Sequence, residues 1–318
     1  MSLGAAMGIS LQALERLHAL GLLSPGASVL DIGSSNLYSA TSGGLRQFLS
    51  QYGAIGADPN PDFIERLARG SKYGPDGVAN ESFVGELLER AGLTYLSFDI
   101  ANGYKTQIFD FNRGVLEERL RGTFDTVINF GTTEHVLNQL NAFRVIHDAA
   151  KPGGYMAHNV PCVGYVDHGF FAYTPRVFFD IAGYNDYELV CFEYQGPNRG
   201  KELYSIVRDY RPYFPRLSAT LESAANTELA TFQAPDISIL VIFRKKKADD
   251  FCTPMELSTS VGQITLTDPN AVAGASSAIS TKQLYRFSFG FFRAAIRRTP
   301  GAFIRKLSRA FRRIFGKA

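Results

Sequence analysis

Residues 27–36, Ala-Ser-Val-Leu-Asp-Ile-Gly-Ser-Ser-Asn, constrain the fold more than any other stretch. A short apolar run of strand-forming residues ends in an acid, Asp31, and a turn of small residues follows. About twenty-five residues later, Ala-Ile-Gly-Ala-Asp-Pro-Asn repeats the theme of strand followed by carboxylate. Strand, small-residue turn, helix and a second acid-tipped strand form the first half of a nucleotide-binding βαβ unit. Small residues let backbone approach a ligand closely, and Asp58 is placed to accept hydrogen bonds from two ribose hydroxyls.

The chain is long enough to cover such a sheet. Of its 318 residues 45% are hydrophobic and 20% charged, the composition of a globular protein with a large core. Cys162, Cys191 and Cys252 lie far apart without a CxxC pair, which argues against a zinc ribbon or a disulfide framework. A reducing, cytoplasmic setting is the expectation. The N-terminus lacks the basic-then-apolar pattern of a secretory signal, and no apolar run reaches the roughly 20 residues of a membrane-spanning helix.

Apolar positions Ile9, Leu11, Leu14, Leu17 and Leu20 recur at helical spacing before Gly21. Strand-like runs follow at 27–32, 53–58, 93–100, 124–131, 153–161, 187–195 and 236–245, with helices expected at 60–70, 82–91, 137–150 and 175–183. This alternation predicts an α/β fold: a doubly wound, mostly parallel seven-stranded sheet with helices on both faces. The organisation reads as an N-terminal helix (1–26), the sheet domain (27–247) with an insertion at 196–235, a Ser/Thr/Ala/Gly-rich linker (248–281) and a tail (282–318).

Five features in order resemble the class I S-adenosylmethionine-dependent methyltransferases. Val-Leu-Asp-Ile-Gly-Ser is similar to the family's first motif, and Gly-Ala-Asp-Pro-Asn to the end of its second strand. Leu-Ser-Phe-Asp-Ile resembles the third strand, Phe-Asp-Thr-Val-Ile-Asn-Phe-Gly-Thr-Thr-Glu-His-Val the fourth, and Lys-Pro-Gly-Gly-Tyr-Met the turn into the fifth. The resemblance covers residues 27 to about 245. It implies S-adenosyl-L-methionine as cofactor. Asp31, Gly33, Ser34, Ser35 and Asn36 would hold its methionine end, and Asp58 and Pro59 its ribose. Asp99 and Ile100 would meet the adenine, and Asn129 and Glu134 would line the cleft. One departure stands out: the family's glycines at alternate positions are here Gly33, Ser35 and Leu37. The segment Tyr-Ser-Ala-Thr-Ser-Gly-Gly after them delays the next helix, to about Gly43 or Gly44.

Methyl transfer to a hydroxyl needs a base, and histidine suits neutral pH. Of five histidines, His18 and His147 fall within amphipathic helices and read as structural, and His158 lies in the fifth strand. His135 follows Glu134 at the carboxyl edge of the sheet, where open α/β folds bind ligands. His168 sits beside Asp167 in an aromatic loop after the fifth strand, a candidate acceptor site or lid. His168 is the first candidate for general base, with Asp167 beside it, and His135 the second. The alternative is that Asp167 and His168 cap the helix beginning near Thr174. An Asp-His pair also suits a divalent metal, but no third ligand is evident, so no metal site is expected.

The net charge of +3 conceals segregation: residues 282–318 carry eleven Lys or Arg and no acid. The first 281 residues hold 22 basic and 30 acidic groups, a net of −8. Phe303, Ile304, Leu307, Phe311, Ile314 and Phe315 make one helical stripe with Arg305, Lys306, Arg309, Arg312 and Arg313 largely opposite. This predicts a basic amphipathic helix for an anionic membrane surface, peripheral on the inner face. Docking on the acidic body or on a twin subunit in a homodimer is the second reading, and nucleic acid ranks third. The expected function is S-adenosylmethionine-dependent methyl transfer to a small-molecule or carbohydrate-type hydroxyl, conceivably on a lipid-linked glycan. The rivals are a non-catalytic adaptor that uses the tail and a nicotinamide-dependent oxidoreductase, whose Tyr-x-x-x-Lys pair the chain lacks.

Overall fold

The computed structural model describes residues 8–53, 60–72, 77–165, 168–196, 205–207 and 236–255. In chain order these hold β1 (Gly8–Ser10), α1 (Leu11–Ala19), β2 (Ser28–Ile32), β3 (Asn36–Tyr38), α2 (Ser42–Ser50), α3 (Pro61–Gly70) and α4 (Val84–Arg90). There follow β4 (Thr94–Asp99), β5 (Thr106–Ile108), β6 (Phe124–Phe130), α5 (Gln139–Ala149), β7 (Ala150–Val163), α6 (Pro175–Tyr184), β8 (Glu188–Gly196), β9 (Ser205–Val207) and β10 (Ile237–Arg244). Eight strands form one sheet in the order β5-β4-β2-β6-β7-β10-β8-β9. The run from β5 to β7 is parallel, whereas β10 lies antiparallel between β7 and β8, and β9 is antiparallel to β8.

Side-chain alternation along the strands builds an apolar layer on each face. Val29, Ile128, Phe130, Leu240 and Ile242 pack with Leu14, Leu17, Phe48, Leu67 and Leu87 of α1 to α4. Leu30, Ile32, Val127, Val241 and Phe243 pack with Phe143 and Ile146 of α5 and Phe178 and Ile181 of α6. A sheet buried on both faces requires near-continuous apolar strands, which is how β2, β6 and β10 read. The expectation of a doubly wound, mostly parallel sheet holds. The eighth strand, β9, comes from the insertion expected at 196–235.

The expected neighbour of the first strand is corrected. Residues 54–59, which carry most of the 53–58 run together with Asp58 and Pro59, lie outside the described residues. Both sides of β2 are occupied, by β4 and by β6. The strand beside β2 is therefore 94–99, and β5 stands outside it. Leu-Ser-Phe-Asp ends the second strand position of the sheet and not the third. Between β2 and β4 the described residues form β3, α2, α3 and α4.

The N-terminal segment also differs from a continuous helix. Gly8–Ser10 is a strand paired with β3 in parallel register, Ile9 opposite Leu37. Ser10 then caps α1, its hydroxyl accepting from the Ala13 amide at 3.2 Å. The remaining helices begin and end within a few residues of expectation. Most of the expected insertion, most of the linker, Asp167 and the tail lie outside the described residues.

Three histidines brace this frame. His18 Nδ1 lies 3.0 Å from the Tyr52 hydroxyl, and His147 Nε2 lies 2.6 Å from the Asp249 carbonyl. His158 is buried among the rings of Phe143, Phe178 and Phe243. Burial holds the His158 imidazole far below its usual range, at about 3. The unfolded chain takes up a proton near pH 6.5 that the folded core refuses, so His158 contributes stability above pH 6.5 that is lost as pH falls toward 3. The loss is about 1.4 kcal/mol per pH unit. Urea unfolding at pH 7 and pH 5 should show the wild type losing about 2 kcal/mol relative to His158→Phe. Equal pH dependence in the two proteins would mean that the folded state accepts a charged ring.

Leu37, at the third position of the glycine pattern, is fully buried. Leu37→Gly, which makes the motif more regular, should destabilise the protein by about 3–5 kcal/mol in the same assay. A neutral substitution would show that β3 contributes nothing to the core.

Candidate active site

The carboxyl ends of β2, β4, β6 and β7 open on one edge of the sheet, and four turns meet there. After β2, Gly33 adopts φ +95°, a left-handed conformation that favours glycine. A Cβ at Gly33 would also collide with the Thr132 hydroxyl of the turn after β6, so the two turns touch at this point. The Gly33 amide donates to the Phe98 carbonyl at 2.7 Å, joining the turn to β4.

Two carboxylates hold the turn. Asp31 is fully buried and accepts from the Ser35 amide at 3.0 Å, the Ser35 hydroxyl at 3.0 Å and the Tyr95 hydroxyl at 2.7 Å. Burial pushes its carboxyl up to about 7 against the opposing pull of Tyr95 and Ser35. Asp31 therefore positions the turn from beneath. Asp99, half-buried at the tip of β4, accepts from the Ser34 amide and the Ala101 amide, each at 2.9 Å. One bond to each oxygen leaves lone pairs available for a ligand. The Ser34 hydroxyl accepts from the Tyr104 amide at 3.0 Å, and a Cβ at Gly103 would strike it.

Asn36 turns away from this edge, its amide donating to the Asn80 and Ser82 carbonyls at 3.3 and 3.4 Å. After β3, the Thr41 hydroxyl accepts from the Gly44 amide and starts α2 at Ser42, the delayed start expected from the small-residue segment. Ile100 and Ile108, at the ends of β4 and β5, are exposed apolar residues flanking Asp99 on this edge. Asp110, two residues beyond β5 and exposed, was missed by sequence reasoning, because the 106–108 strand is too short to show alternation.

Asn129 does not reach the cleft. It is fully buried, donates to the Thr133 hydroxyl at 2.9 Å and to His158 Nδ1 at 3.1 Å, and accepts from the Thr133 amide at 3.2 Å. With these partners it fixes the turn after β6.

That turn carries Glu134 and His135, and the loop after β7 brings His168 to them. The Phe170 and Phe171 amides donate to the Glu134 carbonyl at 2.8 and 3.2 Å, and the Tyr173 amide donates to Pro161 at 2.7 Å. Thus anchored, His168 places Nε2 3.6 Å from Glu134 Oε1 and packs its ring edge-on against His135, with centroids 5.0 Å apart. Among the described residues neither carboxylate oxygen of Glu134 has a hydrogen-bond partner, although the side chain is fully buried. Burial pushes this carboxyl up to about 7. Burial and the neighbouring His168 hold His135 below the usual imidazole range. The two expected bases therefore meet at one place, on top of a buried acid.

A family model described as "Methyltransferase domain" matches residues 9–174, just over half of the chain. A sequence search of curated proteins found no match. Among solved structures, the chain is similar to phosphoethanolamine N-methyltransferase 2 of Haemonchus contortus in complex with phosphomonomethylethanolamine and S-adenosylhomocysteine. The two are 16% identical over 74% of this chain and 53% of that one, at a TM-score of 0.37. The chain thus spans about half the length of that enzyme. An Archaeoglobus fulgidus methyltransferase matches at 14% identity over 73% and 92% of the two chains, with a TM-score of 0.38. The 1,6-didemethyltoxoflavin-N1-methyltransferase of Burkholderia thailandensis matches at 14% over 77% and 80%, with a TM-score of 0.32. The family match covers β1 to the loop before α6, including every turn of the carboxyl edge, and the chain belongs to the methyltransferase domain family.

Proposed function

We propose that the chain methylates a hydroxyl of a small-molecule acceptor, with the cofactor over Gly33 and Asp99 and the acceptor against Glu134, His135 and His168. The residues of the edge suit the cofactor: a left-handed glycine with no room for a side chain, small neighbours, a carboxylate with free lone pairs, and exposed apolar groups beside it. When bound, S-adenosylmethionine supplies an electrophilic methyl group on a sulfonium sulfur. Asp99, at the strand beside β2, takes the ribose role expected for Asp58. Asp110, past the next strand, takes the adenine-side role expected for Asp99. Ile100 and Ile108 would flank the base, and Asp31 would keep the turn in place without touching the ligand.

The observation that carries the acceptor half is Glu134, a buried carboxylate with no hydrogen-bond partner among the described residues, beneath two imidazoles. Transfer forms a bond from the acceptor oxygen to the methyl carbon, and the carbon–sulfur pair returns to sulfur. The acceptor's proton must leave, and the Glu134–His135–His168 cluster is the place on this edge equipped to lower the cost of losing it. The aromatic residues of the loop after β7, with Phe170 exposed, support a carbon-rich acceptor such as an aromatic or carbohydrate-type alcohol.

Two variants separate the halves. Asp99→Ala should weaken S-adenosylhomocysteine binding at least tenfold in calorimetric titration, whereas Glu134→Gln should leave that affinity within about threefold. Glu134→Gln should instead lower turnover by about 10²–10⁴ with any acceptor found by screening hydroxylated small molecules. Unaltered binding in Asp99→Ala would remove it from the cofactor site, and full turnover in Glu134→Gln would remove the cluster from the chemistry.

A further inference from the structure

We infer that Glu134, His135 and His168 form a binding site for one divalent first-row transition-metal ion at the acceptor end of the cleft. One ligand atom from each residue lies within 4.8 Å of the others. First-row ions hold nitrogen and oxygen at about 2.0–2.2 Å, so ligand atoms sharing a tetrahedral ion stand about 3.3–3.6 Å apart. The group needs to contract by up to about 1.5 Å to close on an ion, a shift within reach of side-chain rotation. No third ligand was evident in the sequence because Glu134 and His168 lie on different turns, and only the loop anchors at Phe170, Phe171 and Tyr173 bring them together.

Glu134 is the second and independent sign. A carboxylate taken out of water is costly unless paired, and here both oxygens are buried without a hydrogen-bond partner among the described residues. Among the described ion pairs Glu134 has His168 at 3.6 Å and no Lys or Arg. A cation between the carboxylate and the two rings supplies the missing partner. The surroundings suit ligation: the backbone carbonyl of Glu134 is held by two amides, and the His168 ring is steadied by Tyr165 and His135, with centroids 5.3 and 5.0 Å away.

Two imidazoles and one carboxylate favour Zn²⁺, Co²⁺, Fe²⁺ or Ni²⁺ over Mg²⁺ and Ca²⁺, which prefer all-oxygen shells. Three protein ligands leave at least one position open. The assignment of that position to the acceptor's oxygen rests on the function proposed above; the site itself does not.

The test is titration of the full chain, stripped with a chelator, with Co²⁺ alone, following the visible absorption of the bound ion. The expected result is saturation at one Co²⁺ per chain, displaced by Zn²⁺ and unaffected by excess Mg²⁺. Glu134→Gln and His168→Ala should each weaken uptake at least tenfold while still binding S-adenosylhomocysteine. If either variant loses S-adenosylhomocysteine binding as well, His135→Gln, on the partly exposed side of the cluster, decides in its place. Absence of Co²⁺ uptake by the wild type, or unchanged uptake in the variants, overturns the site. Failure of the wild type to bind S-adenosylhomocysteine while it takes up Co²⁺ would sink the proposed function and leave the metal site standing.

Discussion

The buried carboxylate of Asp31 is the constraint on which the rest of the edge depends. It sits at the end of the central strand, takes three hydrogen bonds, and ties β2 through Tyr95 to β4 and through Ser35 to its own turn. Asp99 does the same from the next strand by accepting from Ser34. Amides that a glycine-rich turn would offer to a ligand are here partly used by the protein's own acids. The turn is consequently fixed before any ligand arrives, which reduces the ordering cost of binding.

This bracing accounts for the irregular glycine pattern. Only Gly33 must be glycine, because its backbone is left-handed and Thr132 stands against it. Position 35 needs a hydroxyl to reach Asp31, and position 37 needs bulk, because β3 pairs with β1 and drives Leu37 into the core. What looks degenerate as a motif is consistent as a structure. The chain inserts a short strand where the usual pattern enters a helix, and it starts α2 only at Ser42.

Much of this was legible in the sequence, and the failures have physical causes. The long apolar strands β2, β6, β7 and β10 and the helices α3, α5 and α6 announce themselves by period and by caps. The sheet order does not, because an apolar run with an acid after it reads alike at any position in the sheet. That is why 53–58 was expected beside β2, where β4 stands, and why Asp99 was placed one strand too far out. Burial was also invisible. Asn129 was expected in the cleft by position, yet its side chain points into a polar knot with Thr133 and His158. Glu134 and His135 were singled out from their place after a strand, and His168 from its aromatic loop. Their meeting is a property of the loop's backbone anchors, which no local pattern displays.

The two halves of the site make different physical demands. The proposed cofactor half is a turn held by acids below it, and the proposed acceptor half is a buried acid, without a hydrogen-bond partner among the described residues, held below two rings. They touch at Gly33 and Thr132, so donor and acceptor groups would face each other across one backbone contact. The measurement that tests this most directly is a crystal structure of the chain with S-adenosylhomocysteine bound. The account predicts the ribose hydroxyls on Asp99 and the sulfur facing Glu134, His135 and His168. A ribose held by Asp58, or a sulfur turned away from the cluster, would contradict it.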